Sequence, residues 1–169
     1  MRSLVVLVCA AAVGLVILGG DKVSGNAFPA LESHMDNLVA QTRSSGGFTI
    51  DPRDGTQPTQ GVVVATGRVG SRVMPAATFF GGGGVPALRD YLSAHASELW
   101  ANHARLVGSW YDRPRRRVVL SVVELVPERT TAIALGIAHQ QTTVYDLASQ
   151  SDIPTGYIPE QPGHRTARR

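Results

Sequence analysis

The chain has 169 residues, of which 43% are hydrophobic and 17% charged, an ordinary globular balance that excludes disorder over most of its length. Its net charge of +3 rests almost wholly on arginine, Lys22 being the only lysine, and its single cysteine, Cys9, excludes an internal disulfide and any cysteine-based metal site. Without an apolar N-terminal segment and a polar tail, a body of roughly 110 to 120 residues remains, enough for one hydrophobic core.

Residues 1–27 read as a signal peptide or membrane anchor. Leu4 to Leu18 are almost continuously apolar, Arg2 precedes them, and Gly19, Gly20, Asp21 and Lys22 follow. The run of about 15 to 17 residues lies at or below the lower limit of roughly 17 to 25 for a spanning helix and inside the range of a secretory apolar region. Length therefore favours export over stable anchoring, and small residues at Gly25-Asn26-Ala27 allow a cleavage site before Phe28. The expected location is secreted or membrane-anchored through residues 4–18. Met35 offers an alternative start, and a chain beginning there is cytoplasmic.

Residues 28–45 form a short helix or linker, with Leu31, Met35, Leu38 and Val39 at helical spacing and Ser44-Ser45-Gly46-Gly47 ending it. The main domain spans 46–156. Phe48-Thr49-Ile50 and Gly61 to Ala65 predict two strands, joined as a hairpin by a long turn around Asp51-Pro52-Arg53-Asp54-Gly55. Arg68 to Gly84 read as irregular and end in Phe79-Phe80 and four glycines. A P-loop needs a lysine and a Ser/Thr after its last glycine, whereas Val85-Pro86 follow here, so the glycines predict a flexible connector.

Leu88, Tyr91, Leu92, Ala96, Leu99 and Trp100 recur at three- and four-residue spacing and predict a helix from Pro86 to about His103. Leu106 to Tyr111 and Val118 to Val126 then form a β-hairpin around Asp112-Arg113-Pro114-Arg115, the second strand apolar enough to be central. Pro127-Glu128 opens a second helix reaching His139, and Thr142 to Leu147 is a last strand. Residues 157–169 are a flexible basic tail. The predicted fold is α+β: a single mixed sheet of about five strands, β-β-α-β-β-α-β, with two core helices and a hydrophobic N-terminal segment before it.

No catalytic constellation emerges. His34, His95, His103, His139 and His164 are scattered; His95 and His103 lie eight apart, roughly 12 Å of helical rise and too far for one metal ion. Asp112, Glu124, Asp146 and Asp152 fit turns and strand ends, and neither an H-E-x-x-H nor a G-x-S-x-G motif is present. No catalytic residue, metal ligand or cofactor is expected. The concentrated electrostatic feature is Arg113, Arg115, Arg116 and Arg117 at the hairpin tip, candidate contacts for a phosphate or a partner, with Trp110 and Tyr111 beside them. Two functions fit. One is a non-enzymatic binding or accessory module, exported or membrane-tethered, that engages a protein partner. The other is a cytosolic mobile-element accessory protein that touches nucleic acid through those four arginines.

Gly47-Phe48-Thr49-Ile50-Asp51-Pro52-Arg53, Gly108-Ser109-Trp110-Tyr111-Asp112, Val119 to Glu124, Val144 to Leu147 and Ile153-Pro154-Thr155-Gly156 carry a resemblance. Over residues 46 to 156 the chain resembles small actinobacterial and actinophage-borne α+β proteins of uncharacterised function. The resemblance implies an accessory protein and carries over no site residues.

Overall fold

The computed structural model describes residues 27–67 and 70–159. Two helices come first, α1 (Pro29–Glu32) and α2 (Met35–Ser45), followed by strands β1 (Gly47–Ile50), β2 (Val62–Ala65) and β3 (Arg72–Pro75). One helical turn, α3 (Ala76–Thr78), passes through a wide turn at Phe79–Gly83 into α4 (Gly84–Ala94) and α5 (Ala96–Ala101). The hairpin β4 (Arg105–Asp112) and β5 (Arg117–Val126) precedes α6 (Arg129–Ala138), β6 (Thr143–Asp146) and β7 (Ser151–Pro154). The expected signal or anchor segment, Cys9 and most of the expected tail, His164 included, lie outside the described residues. Among the described residues no helix is long and apolar enough to cross a membrane.

The α+β class holds, but the sheet has seven strands rather than five, and every neighbouring pair is antiparallel rather than mixed. Its order is β1-β4-β5-β2-β6-β7, with β3 also on β5. The ten-residue β5 is central: β4 runs along one side, while β3 takes the Arg117–Leu120 half of the other side and β2 the Val123–Val126 half. The helical crossovers explain why no parallel pair forms. β3 and β4 run in the same direction but flank β5, and β5 and β6 do so with β2 between them. The expected β1–β2 hairpin is absent because the β4–β5 hairpin separates the two strands.

Residues paired across antiparallel strands share a face, so Phe48 and Ile50 of β1, Val107 of β4, and Val118, Leu120 and Val122 of β5 point the same way. They are buried with Leu38 of α2, Leu88, Tyr91 and Leu92 of α4 and Leu99 of α5. Phe28, Leu31 and Met35, from the segment read as a short helix or linker, belong to the same cluster. Thr42 sits in it as a polar residue, its hydroxyl donating to the Leu38 carbonyl at 2.8 Å and meeting the Ser109 hydroxyl at 2.6 Å, which satisfies both groups away from water.

A second, smaller cluster joins Val62 and Val64 of β2, Val144 of β6 and Ile153 of β7 to Ala132 of α6. Its helix lies close to the sheet: a methyl group added at Gly136 would stand 2.7 Å from Cγ1 of Val144. Both clusters occupy the same side of the sheet. On the opposite face Trp110, Val119 and Val73 are cross-strand neighbours, with Trp110 and Val73 55% and 53% exposed.

The glycine run, expected to connect into a helix, is a wide turn joining α3 to α4. Gly82 supplies its positive φ of 106°, and Gly84 packs where a side chain would meet the Phe79 carbonyl oxygen and Val39 at 2.8 Å. The single helix expected from Pro86 to His103 breaks at His95, whose ring packs on Tyr91 at 4.5 Å between centroids and whose Nδ1 lies 3.2 Å from Glu98.

Candidate functional site at the arginine hairpin

Residues 113–116 turn β4 into β5. The Arg116 amide donates to the Arg113 carbonyl at 3.1 Å, and the turn closes with Arg116 at φ +50°, a left-handed conformation for a non-glycine residue. The Ala76 amide donates to the Arg116 carbonyl at 2.9 Å, which ties the turn to the start of α3.

The four arginines separate into two pairs with different electrostatic fates. Arg115 and Arg117 turn to Asp112, whose side chain is only 3% exposed. Its carboxylate accepts from Nε of Arg117 at 2.9 Å, Nη1 of Arg115 at 3.2 Å and the Arg115 backbone amide at 3.3 Å. Burial alone would raise the Asp112 pKa, but the hydrogen bonds from Arg117 and Arg115 outweigh it and hold the group below the usual carboxylate range. Among the described residues no carboxylate pairs with Arg113 or Arg116. Arg113 donates Nη2 to the Ser44 carbonyl at 3.2 Å and stands 5.9 Å from the Tyr111 ring centroid.

Arg116 borders an open cleft of about 410 Å³ with Arg43, Ala76, Phe80, Gly81 and Tyr111. Arg43 comes from the last turn of α2. Gly46 ends that helix at φ +92°, and its carbonyl accepts from the Tyr111 amide at 2.8 Å, which fixes α2 against β4. The Arg43 guanidinium lies 4.6 Å from the Phe80 ring centroid and donates to the Phe80 carbonyl at 2.9 Å. Phe80 in turn meets Tyr111 edge-to-face at 5.1 Å and Phe79 at 5.4 Å. Arg43 also has no ion-pair partner among the described residues. The cleft is therefore bordered by two arginines with no ion-pair partner among the described residues, Arg43 held on the Phe80 ring and carbonyl and Arg116 at the turn.

Arg43 and Phe80 had no sequence signal, because only the tertiary contact of α2 with the hairpin brings them to Arg116. Strand alternation places Tyr111 in the cleft and sends Trp110 to the opposite face. The other candidate groups stay apart. Asp146 accepts from the Ala148 amide in a turn, Glu124 pairs with Arg105 at 3.4 Å, and Asp152 lies opposite Tyr145 on the β6–β7 ladder. His139 is hydrogen-bonded through Nδ1 to the Ala65 carbonyl at 2.9 Å. A second cavity of about 310 Å³ is bordered by Asp51, Asp54 and His103. Its carboxylates serve local structure: Asp51 pairs with Arg53 at 2.7 Å, and Asp54 accepts from the Thr56 amide at 2.8 Å, which lowers its pKa. Among the described residues no group of three or more His, Cys, Asp or Glu side chains is placed to hold a metal ion.

No family model, curated protein or solved structure matches the chain.

Proposed function

We propose that the protein is a binding module that takes an acidic segment of a protein partner into the cleft bordered by Arg43 and Arg116, with Arg113 beside it. The carrying observation is the division of the basic cluster. Asp112 pairs with both Arg115 and Arg117 and offsets one of their two charges, while Arg43, Arg113 and Arg116 have no ion-pair partner among the described residues, Arg43 lying on Phe80, Arg113 near Tyr111 and Arg116 at the border of the cleft. A guanidinium already bonded to a carboxylate has fewer donors left for a ligand, whereas an unpaired fork keeps them for a carboxylate or phosphate.

Nucleic acid fits less well. Single-strand binders stack bases on free aromatic faces, but Phe80 already carries Arg43 and meets two other rings, and Tyr111 carries Arg113. For the compartment, export or tethering rests on the apolar residues 4–18, and N-terminal sequencing of the native protein tests it: a chain that begins at Met1 or Met35 and fractionates with the cytosol removes that part.

The test of the cleft is fluorescence anisotropy with a labelled oligo-glutamate peptide and with a single-stranded oligonucleotide of equal charge. The double variant Arg43→Ala/Arg116→Asn keeps a residue that tolerates left-handed backbone at 116 and is expected to weaken peptide binding about tenfold or more, on the order of one charge-assisted contact. Unchanged affinity in the variant overturns the proposal. Tighter binding of the oligonucleotide, with a steep salt dependence lost in the variant, replaces it with the nucleic-acid reading.

A further inference from the structure

We infer that the acidic group this cleft recognises is a phosphate monoester carried on a side chain of the partner, an inference that rests on the binding-module reading above. One guanidinium fork satisfies the two oxygens of a carboxylate. Here two arginines, Arg43 and Arg116, border one cavity, and the guanidinium of a third, Arg113, lies 5.9 Å from the adjoining Tyr111 ring centroid, with no acid paired to any of the three among the described residues. A monoester brings three terminal oxygens in tetrahedral array and a charge of about −1.5 to −2 at neutral pH, so it engages both forks and offsets more of the local positive charge than a carboxylate does. Arg43 commits Nη2 to the Phe80 carbonyl, and among the described residues no hydrogen bond occupies the Arg116 side chain.

The volume suits the group. A cleft of about 410 Å³ lies near the lower end of the roughly 300 to 1,000 Å³ of small-ligand sites. It holds a phosphate and the carbons that carry it. A lipid headgroup brings the same chemistry, but a membrane-docking face places exposed apolar side chains beside its cations. Among the described residues the large exposed apolar side chains, Val73, Trp100, Trp110, Ile137, Tyr145 and Ile158, do not border this cleft.

The experiment titrates the full chain by calorimetry with a short peptide bearing one phosphoserine, the same peptide with glutamate in its place, inorganic phosphate, and phosphatidylcholine vesicles containing phosphatidic acid. The phosphopeptide is expected to bind about tenfold tighter than the glutamate peptide. That preference should shrink between pH 7.5 and pH 5.5, as the monoester takes up its second proton near pH 6. Arg116→Lys, which keeps the charge and loses the fork, should abolish the preference while both peptides still bind. Equal affinity for the two peptides overturns the monoester and leaves the binding module standing. Loss of all peptide binding, with Arg43→Ala/Arg116→Asn indistinguishable from the natural protein, overturns both. Inorganic phosphate or the vesicles binding as tightly as the phosphopeptide overturns the assignment to a partner side chain.

Discussion

The two ends of the sheet are anchored unequally on the same face. Around β1, β4 and the first half of β5, helices α1, α2, α4 and α5 bury a cluster that includes Phe28, Phe79, Leu120 and Leu88, all nearly inaccessible to solvent. Around β2, β6 and β7 a single ten-residue helix covers Val62, Val64, Val144 and Ile153, with only Ala132 and Gly136 of α6 fully buried and Ile137 45% exposed. Burial stabilises in proportion to the apolar area removed from water. The second end is therefore held less strongly and is expected to open at lower free energy than the first. The basic cleft belongs to the well-anchored end, where a packed scaffold would lower the ordering cost of the proposed binding.

The largest effect should come from the well-anchored end. Leu120→Ala removes a fully buried side chain from the middle of the central strand and is expected to cost about 3 to 4 kcal/mol, within the range for buried leucine truncation. Val144→Ala, in the small cluster, is expected to cost about 2 kcal/mol, because fewer atoms are lost and a thin layer collapses more readily. Urea unfolding of both variants tests the contrast. Equal losses would mean that the two clusters act as one core. Hydrogen exchange should add that amides of β6 and β7 exchange faster than those of β4 and β5 in the unmodified protein.

Next in size is a test of how tightly α6 sits on the small cluster. A methyl group at Gly136 would lie 2.7 Å from Cγ1 of Val144 and 2.9 Å from Cγ2 of Thr155, so Gly136→Ala is expected to destabilise by about 1 to 2 kcal/mol through overpacking, despite alanine's better helix propensity. Val144→Ala removes one of the two obstructing atoms. The double variant should therefore lose less stability than the sum of the two single losses, and strict additivity would show that α6 simply shifts away.

The same contrast marks what was legible in the sequence. Strands with strong apolar patterns, Val62 to Ala65 and Val118 to Val126, were readable because their periodicity reports a buried face. β3 was not, since Arg72 to Pro75 lie along a sheet edge with no fully buried residue among them. β7 was hidden similarly, with Ile153 alone buried between Ser151 and Pro154. Strand neighbours were beyond local pattern, because pairing across β5 and β2 depends on where the crossovers land. At the cleft, Arg113 and Arg116 were visible as charge at a turn. That Asp112 would pair with Arg115 and Arg117 instead was not, since the burial of one carboxylate beside the hairpin decides it.

The smallest expected effect concerns that carboxylate and carries the comparison down to the hairpin itself. Asp112 has a folded-state pKa below its unfolded value of 3.8, so the deprotonated form is favoured by folding. Its contribution to stability is therefore fully present above about pH 4 and is lost as the pH falls through the lower, folded pKa. Asp112→Asn removes the charge and with it this pH dependence. The stability gap between the natural protein and the variant should be widest near pH 5 to 7 and should narrow below about pH 4, as read from urea midpoints at each pH. The variant also leaves Arg115 and Arg117 without their acid, making the ion-paired side of the turn resemble the Arg43–Arg116 side. An oligo-glutamate peptide should then bind about two- to threefold tighter at low salt, on the scale of one exposed charge interaction, and the gain should vanish as salt is raised. A gap that stays constant from pH 7 to pH 3 would show that Asp112 holds the turn through its shape and hydrogen-bonding oxygens alone, and the distinction between the two sides of the hairpin would then not be one of charge.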